Sequence, residues 1–421
     1  MTKSNSPFTV IRNLRQLTTP VTNGKPYLRG REMRNIETVD NAAIVINSDT
    51  IEWIGRDTDV PDQYTDDANI IDGNGLVALP GFVDMHTHMV FGATREEEFA
   101  MRCSGATYQE IAAKGGGINN TVRTTREADK SRLRKQTMRF LDKMIRHGTT
   151  TVEIKSGYGL SEKDEVKMLD VINMVKEDHL INIVSTFLGA HAIPPEYKEH
   201  REEYVDLVCK KMIPYVAKKN LTGFCDVFCE NGFFTLEESR RILQTGIEHR
   251  LAPKIHADEL SPLGGSELAI EVNAISADHL EHISDKAIEM FAKSDVIAGM
   301  LPGVSFYLGH DYAPARKLID AGAIVALATD FNPGSCVSYS VPLMMTMACT
   351  QMKMTPEETL TAATINAAAA LNMSRIVGSI EEGKQADIVF LQMPNYMYLP
   401  YHFGENHVAA VMKSGTWLEY R

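Results

Sequence analysis

The sequence predicts an α/β chain: a (β/α)8, TIM-like barrel with a small β-sandwich domain built from both chain ends. Three observations predict it. Eight short apolar runs, from 77-VALPGFVDMHTH-88 to 323-AIVALATDFNPGS-335, alternate with charged or amphipathic helical stretches. Short apolar strands with α-type crossovers form a parallel sheet buried on both faces. Residues before 78 read instead as short strands broken by turn residues, and the same texture returns after 375. The length of 421 residues also suits a barrel of about 250 residues plus a smaller module. The composite β domain is therefore placed at 1–78 and 375–421, and the barrel at 79–374.

Taken in order, the first β segments are AAIVINSDTIEWIG and ANIIDGNGLVALPG. Their Val/Ile alternation, punctuated by Asn, Asp and Gly, predicts an antiparallel module. After the opening run, the barrel strands fall within 149–159, 181–191, 223–230, 252–259, 275–282, 296–303 and 323–335. Between them, 126–148 and 235–246 read as helices; the second opens on a capping box, Thr235 with Glu238, and stops at Gly246. The methionine-rich stretch 343-LMMTMACTQMKM-354 suits a core or a subunit interface. The closing strands lie in 378–392 and 408–420, and chain ends that lie close together can share one domain.

A net charge of −12 argues against nucleic acid or an anionic membrane as partner, so an anionic ligand needs its own local Arg or Lys. The N-terminus lacks the apolar core of a signal peptide, and no segment approaches the roughly 18 apolar residues of a membrane span. Cysteines 103, 209, 225, 229, 336 and 349 are scattered rather than framework-spaced, which predicts reduced thiols. A soluble, cytoplasmic protein is expected.

In such barrels the reactive groups sit at the C-terminal ends of strands. Here polar residues collect there: His86 and His88 after the first run, His191 after the third, His256 and Glu259 at the fifth, His279 and His282 at the sixth, Asp330 at the eighth. Side-chain alternation puts His86 and His88 on one face, about 6–7 Å apart at the backbone, where both imidazoles can lean toward one cation. His256 and Asp330 are the best candidates to complete the set. Two or three neutral imidazoles plus a carboxylate, with a position left for water, compose a hydrolytic site for zinc or iron.

The runs PGFVDMHTH, HADE, SADHLEH and ATDFNPGS, with the tail 360-LTAATINAAAALNMSRIVGSIEEGKQADIVFL-391, resemble the metal-dependent amidohydrolase superfamily over nearly the whole chain. The resemblance implies that His86, His88, His256 and Asp330 hold the metal, and that His279 contacts the bound water or a substrate oxygen. Many members bridge two metals with a carboxylated lysine on strand four. This chain offers Cys229 and Glu230 there, and Lys155 lies on strand two, so one Zn2+ or Fe2+/Fe3+ per subunit is expected. Further stretches, 91-FGATREEEFAMRCSGATYQEI-111, KGGGINNT, EIKSGYGL, TFLGAHAIPPEY and KIHADEL, resemble the members that open the ring of 4-imidazolone-5-propanoate in histidine degradation.

That resemblance implies roles. Asp330 would ligate the metal and accept the nucleophile's proton. Glu259 would shuttle a proton to a ring nitrogen or anchor the substrate, and His279 would polarise the carbonyl. Arg95 would bind the propanoate bidentately, with Tyr158 and His191 as further contacts. Asn332, Gly334 and Ser335 in the strand-eight loop would contact substrate or product; from the sequence itself, Gly115–Gly117 lacks a phosphate-binding context and suits a hinge for a loop over the mouth. His282 is expected to be structural. A homodimer is implied. The alternative is a cyclic amidine or nucleobase deaminase, or another cyclic amidohydrolase, with the same mononuclear site.

Overall fold

The computed structural model describes residues 7–105 and 116–420. Gly115 and the end of the 91–111 stretch lie outside the described residues. Strands β1 (Phe8–Pro20), β2 (Ile36–Asn47), β3 (Thr50–Arg56), β4 (Asn69–Asp72) and β5 (Val77–Pro80) come first. Then follow β6 (Phe82–Asp84), β7 (Thr149–Lys155), β8 (Asn182–Ala190), β9 (Phe224–Cys229), β10 (Ala252–Ala257), β11 (Ser276–His279), β12 (Ile297–Met300) and β13 (Ile324–Leu327). The chain closes with β14 (Ile388–Leu391), β15 (Val408–Lys413) and β16 (Thr416–Glu419).

Strands β6 to β13 pair in sequence order, all parallel, with helices as crossovers. The ends of this sheet meet through the parallel bridge Thr87–Phe331, where His88 N–H donates to the Phe331 carbonyl at 2.9 Å and Asp330 N–H to the His86 carbonyl at 3.0 Å. The barrel is thus nearly closed at its mouth end. Strands from both chain ends join a second sheet in the order β16-β15-β14-β5-β1-β2-β3, with β4 also on β1. They follow one hydrogen-bonded path rather than two separate sheets. It is mixed rather than antiparallel, because β4 and β5 both run parallel to β1.

The opening run is shared between the two sheets. Val77–Pro80 pairs with β14 and β1, whereas Phe82–Asp84 pairs with β7, and Pro80–Gly81 makes the change of sheet. The helix expected over 126–148 begins at Lys130, because Ala128 is extended and Asp129 caps the new helix by accepting from Arg132 N–H at 2.7 Å. The Thr235–Glu238 capping box is present, but its helix continues to Glu248. Gly246 is inside it: a Cβ there would stand 2.9 Å from the Cys225 Cβ, so the glycine serves close packing on β9 rather than termination. The methionines of helix Val341–Gln351 fill core, with Met344, Met345 and Met347 buried. All six cysteines are free; Cys103 alone is exposed. Among the described residues no helix is long and apolar enough to cross a membrane.

Asn366 ties the N-terminal segment to the barrel. Its side chain accepts from Leu28 N–H at 2.9 Å and donates to the carbonyls of Leu28 at 2.9 Å and Val325 at 2.8 Å, all buried. Asn366→Ala leaves those backbone groups without partners and is expected to cost about 3 kcal/mol. Chemical denaturation followed by circular dichroism measures it, and an unchanged midpoint would show that the tie is dispensable.

Candidate functional site

The barrel mouth brings the sequence-derived residues together from six strand ends. His86 and His88 lie just past β6, Tyr158 past β7, His191 past β8, and His256 within β10. Glu259 follows β10 by two residues, His279 ends β11, and Asp330 follows β13. Extended pairing carries beyond β6, since Thr87 bonds both Lys155 and the Phe331 region; His86 and His88 therefore keep a common face. Several strand ends then turn into left-handed backbone: Asp258 (φ 50°), His279 (φ 85°), Leu280 (φ 69°) and Asp330 (φ 50°). For His279 and Leu280 such angles are unusual and mark stored strain.

The three imidazole Nε2 atoms of His86, His88 and His256 converge. His86 and His88 are 3.2 Å apart there, and His88 and His256 3.3 Å. Asp330 Oδ1 lies 3.5 Å from His86 Nε2 and 3.4 Å from His88 Nε2. It is buried with no hydrogen-bond partner. Two Nδ1 atoms face carboxylates: His86 to Asp278 at 2.7 Å and His256 to Asp226 at 3.1 Å. With Nδ1–H donated there, the Nε2 lone pairs of His86 and His256 point at one spot beside an orphaned carboxylate oxygen. Converging lone pairs repel unless a cation lies among them, so this donor set fits a metal ion. Burial, followed by neighbouring cationic groups, pushes the His86 and His88 imidazoles well below the usual range, which keeps them neutral as ligation requires.

Beneath these ligands lies a layer that motif reading missed. Lys155 Nζ is fully buried between Glu153 at 2.7 Å and Asp226 at 2.8 Å, with Asp278 at 4.0 Å. Lys254 Nζ pairs with Glu153 at 2.8 Å and donates to the Met85 carbonyl at 3.1 Å. Asp84 accepts from both Thr329 N–H and Thr329 hydroxyl, tying strand one to strand eight, and burial raises its carboxyl to about 7. Burial alone would raise Asp226, but His256 and Lys155 hold it well below the usual carboxylate range. The signal was present: VEIK, FCDVF, APKIH and SADH place charges in the middle of strands buried on both faces. Lys155 supplies a charge to the interior, and Glu230, itself buried, is committed to the 260–261 turn, accepting from Leu260 N–H at 2.8 Å, Ser261 N–H and the Ser261 hydroxyl.

A cavity of about 1010 Å³ opens above the imidazoles, lined by His88, His191, His256, His279, Tyr158, Glu259, Asp330 and the 332–335 loop. Arg95 and Arg102 line it as well, both beside Gly334. Arg95 is anchored to Glu98 at 2.8 Å, and Glu98 also accepts from Gly117 N–H at 3.1 Å. Its Nη1 lies so near Gly334 that a Cβ there would sit 2.2 Å away. Arg102, missed from sequence, stacks over Tyr307 at 4.9 Å. His191 stacks on His88 (4.9 Å, 20°), and its Nδ1 bonds the Gly157 carbonyl at 3.1 Å; burial lowers it to about 3. Glu259 lies 3.6 Å from His279 Nε2 and is raised to about 8 by burial and then by Glu230. Asn332 is committed within its own loop: it donates to Asp330 Oδ2 at 3.0 Å and to the Ser335 hydroxyl, and accepts from the N–H groups of Gly334 and Ser335. His282 does not line the cavity; its N–H bonds the Asp258 carbonyl.

Comparison with known proteins places this geometry. The amidohydrolase family matches residues 77–418. A protein of Brevibacillus brevis named imidazolonepropionase is 48% identical over 409 residues, covering 96% of this chain and 96% of its own. Among solved structures, a triazine hydrolase variant superposes with a TM-score of 0.76 at 16% identity, covering 98% of this chain and 94% of that one. An atrazine chlorohydrolase from Arthrobacter aurescens TC1, complexed with zinc, gives 0.73 at 16% identity, covering 97% and 94%. At such identities the structural likeness is one of fold.

The Asp226–His256 contact generates a prediction. Asp226→Asn removes the carboxylate behind one converging imidazole, and metal retention is expected to weaken about 10–100-fold. Competition against a chelator, with metal content read by mass spectrometry, measures it. Unchanged retention would separate Asp226 from the metal site.

Proposed function

Since this chain belongs to the amidohydrolase family, we propose that it hydrolyses the ring C–N amide bond of 4-imidazolone-5-propanoate to N-formimino-L-glutamate, a step of histidine degradation. The observation that carries the reading is the 48% identity to an imidazolonepropionase across 96% of both chains. Its support in the structure is a cavity lined by both converging imidazoles and a guanidinium.

His86, His88, His256 and Asp330 would hold a single ion, zinc or iron, in each subunit of a cytoplasmic homodimer. When bound, such an ion supplies water that is nucleophilic near neutral pH. The reaction adds hydroxide to the lactam carbonyl carbon, breaks the C–N bond, and leaves a proton on the departing ring nitrogen. Asp330, buried beside the imidazoles, takes the proton of the attacking water. Glu259, whose carboxyl holds its proton to about pH 8, delivers one to the ring nitrogen. His279 directs its Nε2 to the carbonyl oxygen.

Arg95 binds the propanoate, its guanidinium already oriented by Glu98. Tyr158 and His191 wall the ring and keep water from it, Tyr158 being a neutral phenol whose acidity burial suppresses. Asn332 holds the loop that presents Gly334 and Ser335.

Freshly prepared substrate, followed by loss of ring absorbance, tests the activity directly. Ammonia release from a nucleobase without ring opening would overturn it. Arg95→Met is expected to raise KM about 10–100-fold while kcat changes little, the loss of one charge-assisted carboxylate contact. Gly334→Ala, by displacing Nη1, should raise KM in the same direction and by less. A KM unaltered in both variants would remove Arg95 from the substrate site.

A further inference from the structure

Behind His279 lies a carboxyl that no step above uses. Glu281 has a side chain only 4% exposed, and its Oε2 is 3.9 Å from His279 Nδ1. Both atoms are buried without a hydrogen-bond partner. Its other oxygen accepts from the Ser305 hydroxyl at 3.3 Å, on helix Pro302–Leu308 after β12. On the opposite side of the same imidazole, Nε2 faces Glu259 at 3.6 Å. His279 is thus flanked by two carboxyls, one at the mouth and one behind it.

The backbone is bent to achieve this. His279 and Leu280 both take left-handed angles, φ 85° and 69°. The turn is pinned by Leu280 N–H on the Ala257 carbonyl at 3.1 Å and His282 N–H on the Asp258 carbonyl at 2.8 Å. Two such residues in succession cost energy that ordinary loops avoid. Here they fold residue 281 back under residue 279 instead of letting it run on to solvent.

We propose that Glu281 is a positioning residue acting through His279: its carboxylic O–H, steadied by Ser305, donates to Nδ1 and so keeps the Nε2–H tautomer facing the mouth. A buried carboxylate needs a cation or several donors. Among the described residues Glu281 pairs with no Lys or Arg, its donors are the Ser305 hydroxyl and its own N–H, and its Oε2 has no partner. The neutral acid is the form that this environment holds, and a neutral acid donates. The small approach needed to close 3.9 Å to a hydrogen bond satisfies both orphaned atoms at once. A neutral imidazole has one N–H, so the partner at Nδ1 decides which nitrogen donates to the carbonyl oxygen. The role in turnover rests on the ring-opening reaction proposed above; the tautomer does not.

The test is nitrogen-15 spectroscopy of histidine-labelled protein, with His279 assigned by loss of its signals in His279→Gln. The wild type is expected to carry its proton on Nε2. Glu281→Met, close in length, should lose that preference and lower kcat about 10–100-fold with KM nearly constant. Glu281→Gln keeps a donor toward Nδ1 and should recover the tautomer and most of the rate. A proton on Nδ1 in the wild type, or an unaltered tautomer in Glu281→Met, overturns the proposal. If the tautomer shifts as expected but imidazolonepropanoate is not turned over by any form, the substrate reading fails and the positioning role stands.

Discussion

Lys155 Nζ sits 2.7 Å from Glu153 and 2.8 Å from Asp226 with no exposed surface, and the geometry of the mouth descends from that ammonium. An ammonium taken out of water loses several kcal/mol of solvation, which only close carboxylates can offset. Asp226 gives one oxygen to Lys155 and the other to His256; Asp278 stands between Lys155 and His86. A single buried cation thus fixes two carboxylates, and each fixes an imidazole. Lys254 extends the chain to Glu153 and to the carbonyl of Met85, next to His86. Five strands are coupled through side chains inside the barrel, as the ladder couples them through backbone. Rigid placement of this kind is what a site with converging lone pairs requires, since an imidazole free to rotate would turn away from its neighbours.

Strain complements the charge network. Beneath the mouth β10 pairs regularly with both neighbours, with His256 in register with Asp278 and Phe228. Above it the chain turns through left-handed angles at Asp258, His279, Leu280 and Asp330. Asp258 tolerates its angle because its short polar side chain bonds nearby backbone. Asp258 does so by accepting from Gly264, Gly265 and Ser266 N–H groups. His279 and Leu280 have no such help, so their conformation is imposed by contacts with β10 and by the buried polar groups around them. The regular barrel supplies stability, and the irregular rim supplies direction.

The barrel itself was readable because its strands are buried on both faces: continuous apolar runs such as VIAGM and AIVAL cannot be solvent-facing elements, and all eight expected runs contain a barrel strand. The candidate ligands were readable because His-x-His and its partners end such runs. Boundaries were harder. The stretch VALPGFVD reads as one strand, yet serves two sheets, since nothing in an apolar run says which neighbour it will meet. Gly246 reads as a helix stop because glycine usually ends helices; only the tertiary approach to Cys225 explains it. Lys155 was weighed only as a bridging lysine, and Asp226 was passed over, for a related reason. Ligand motifs draw the eye to strand ends, whereas these residues act through partners on other strands, a relation that sequence order does not display. Arg102 lay beside Cys103 with no local pattern to distinguish it from a surface charge.

Charge also resolves an apparent contradiction in a protein of net charge −12. The cavity holds Asp330 and Glu259, with Glu281 behind His279, and none of these carboxyls offers an anionic group a counter-charge. The cavity is also lined by Arg95 and Arg102; among the described residues Arg95 pairs with Glu98, and Arg102 lies over Tyr307. The guanidiniums therefore put local positive charge into the cavity of a chain whose net charge is negative. A carboxylate tail is drawn to the guanidiniums, which favours one orientation of a molecule that carries it at one end. Orientation of that kind reduces the search for a reactive geometry before any bond is altered. The distribution of a few charges, rather than the overall sign of the surface, is what lets an acidic protein receive an acidic ligand.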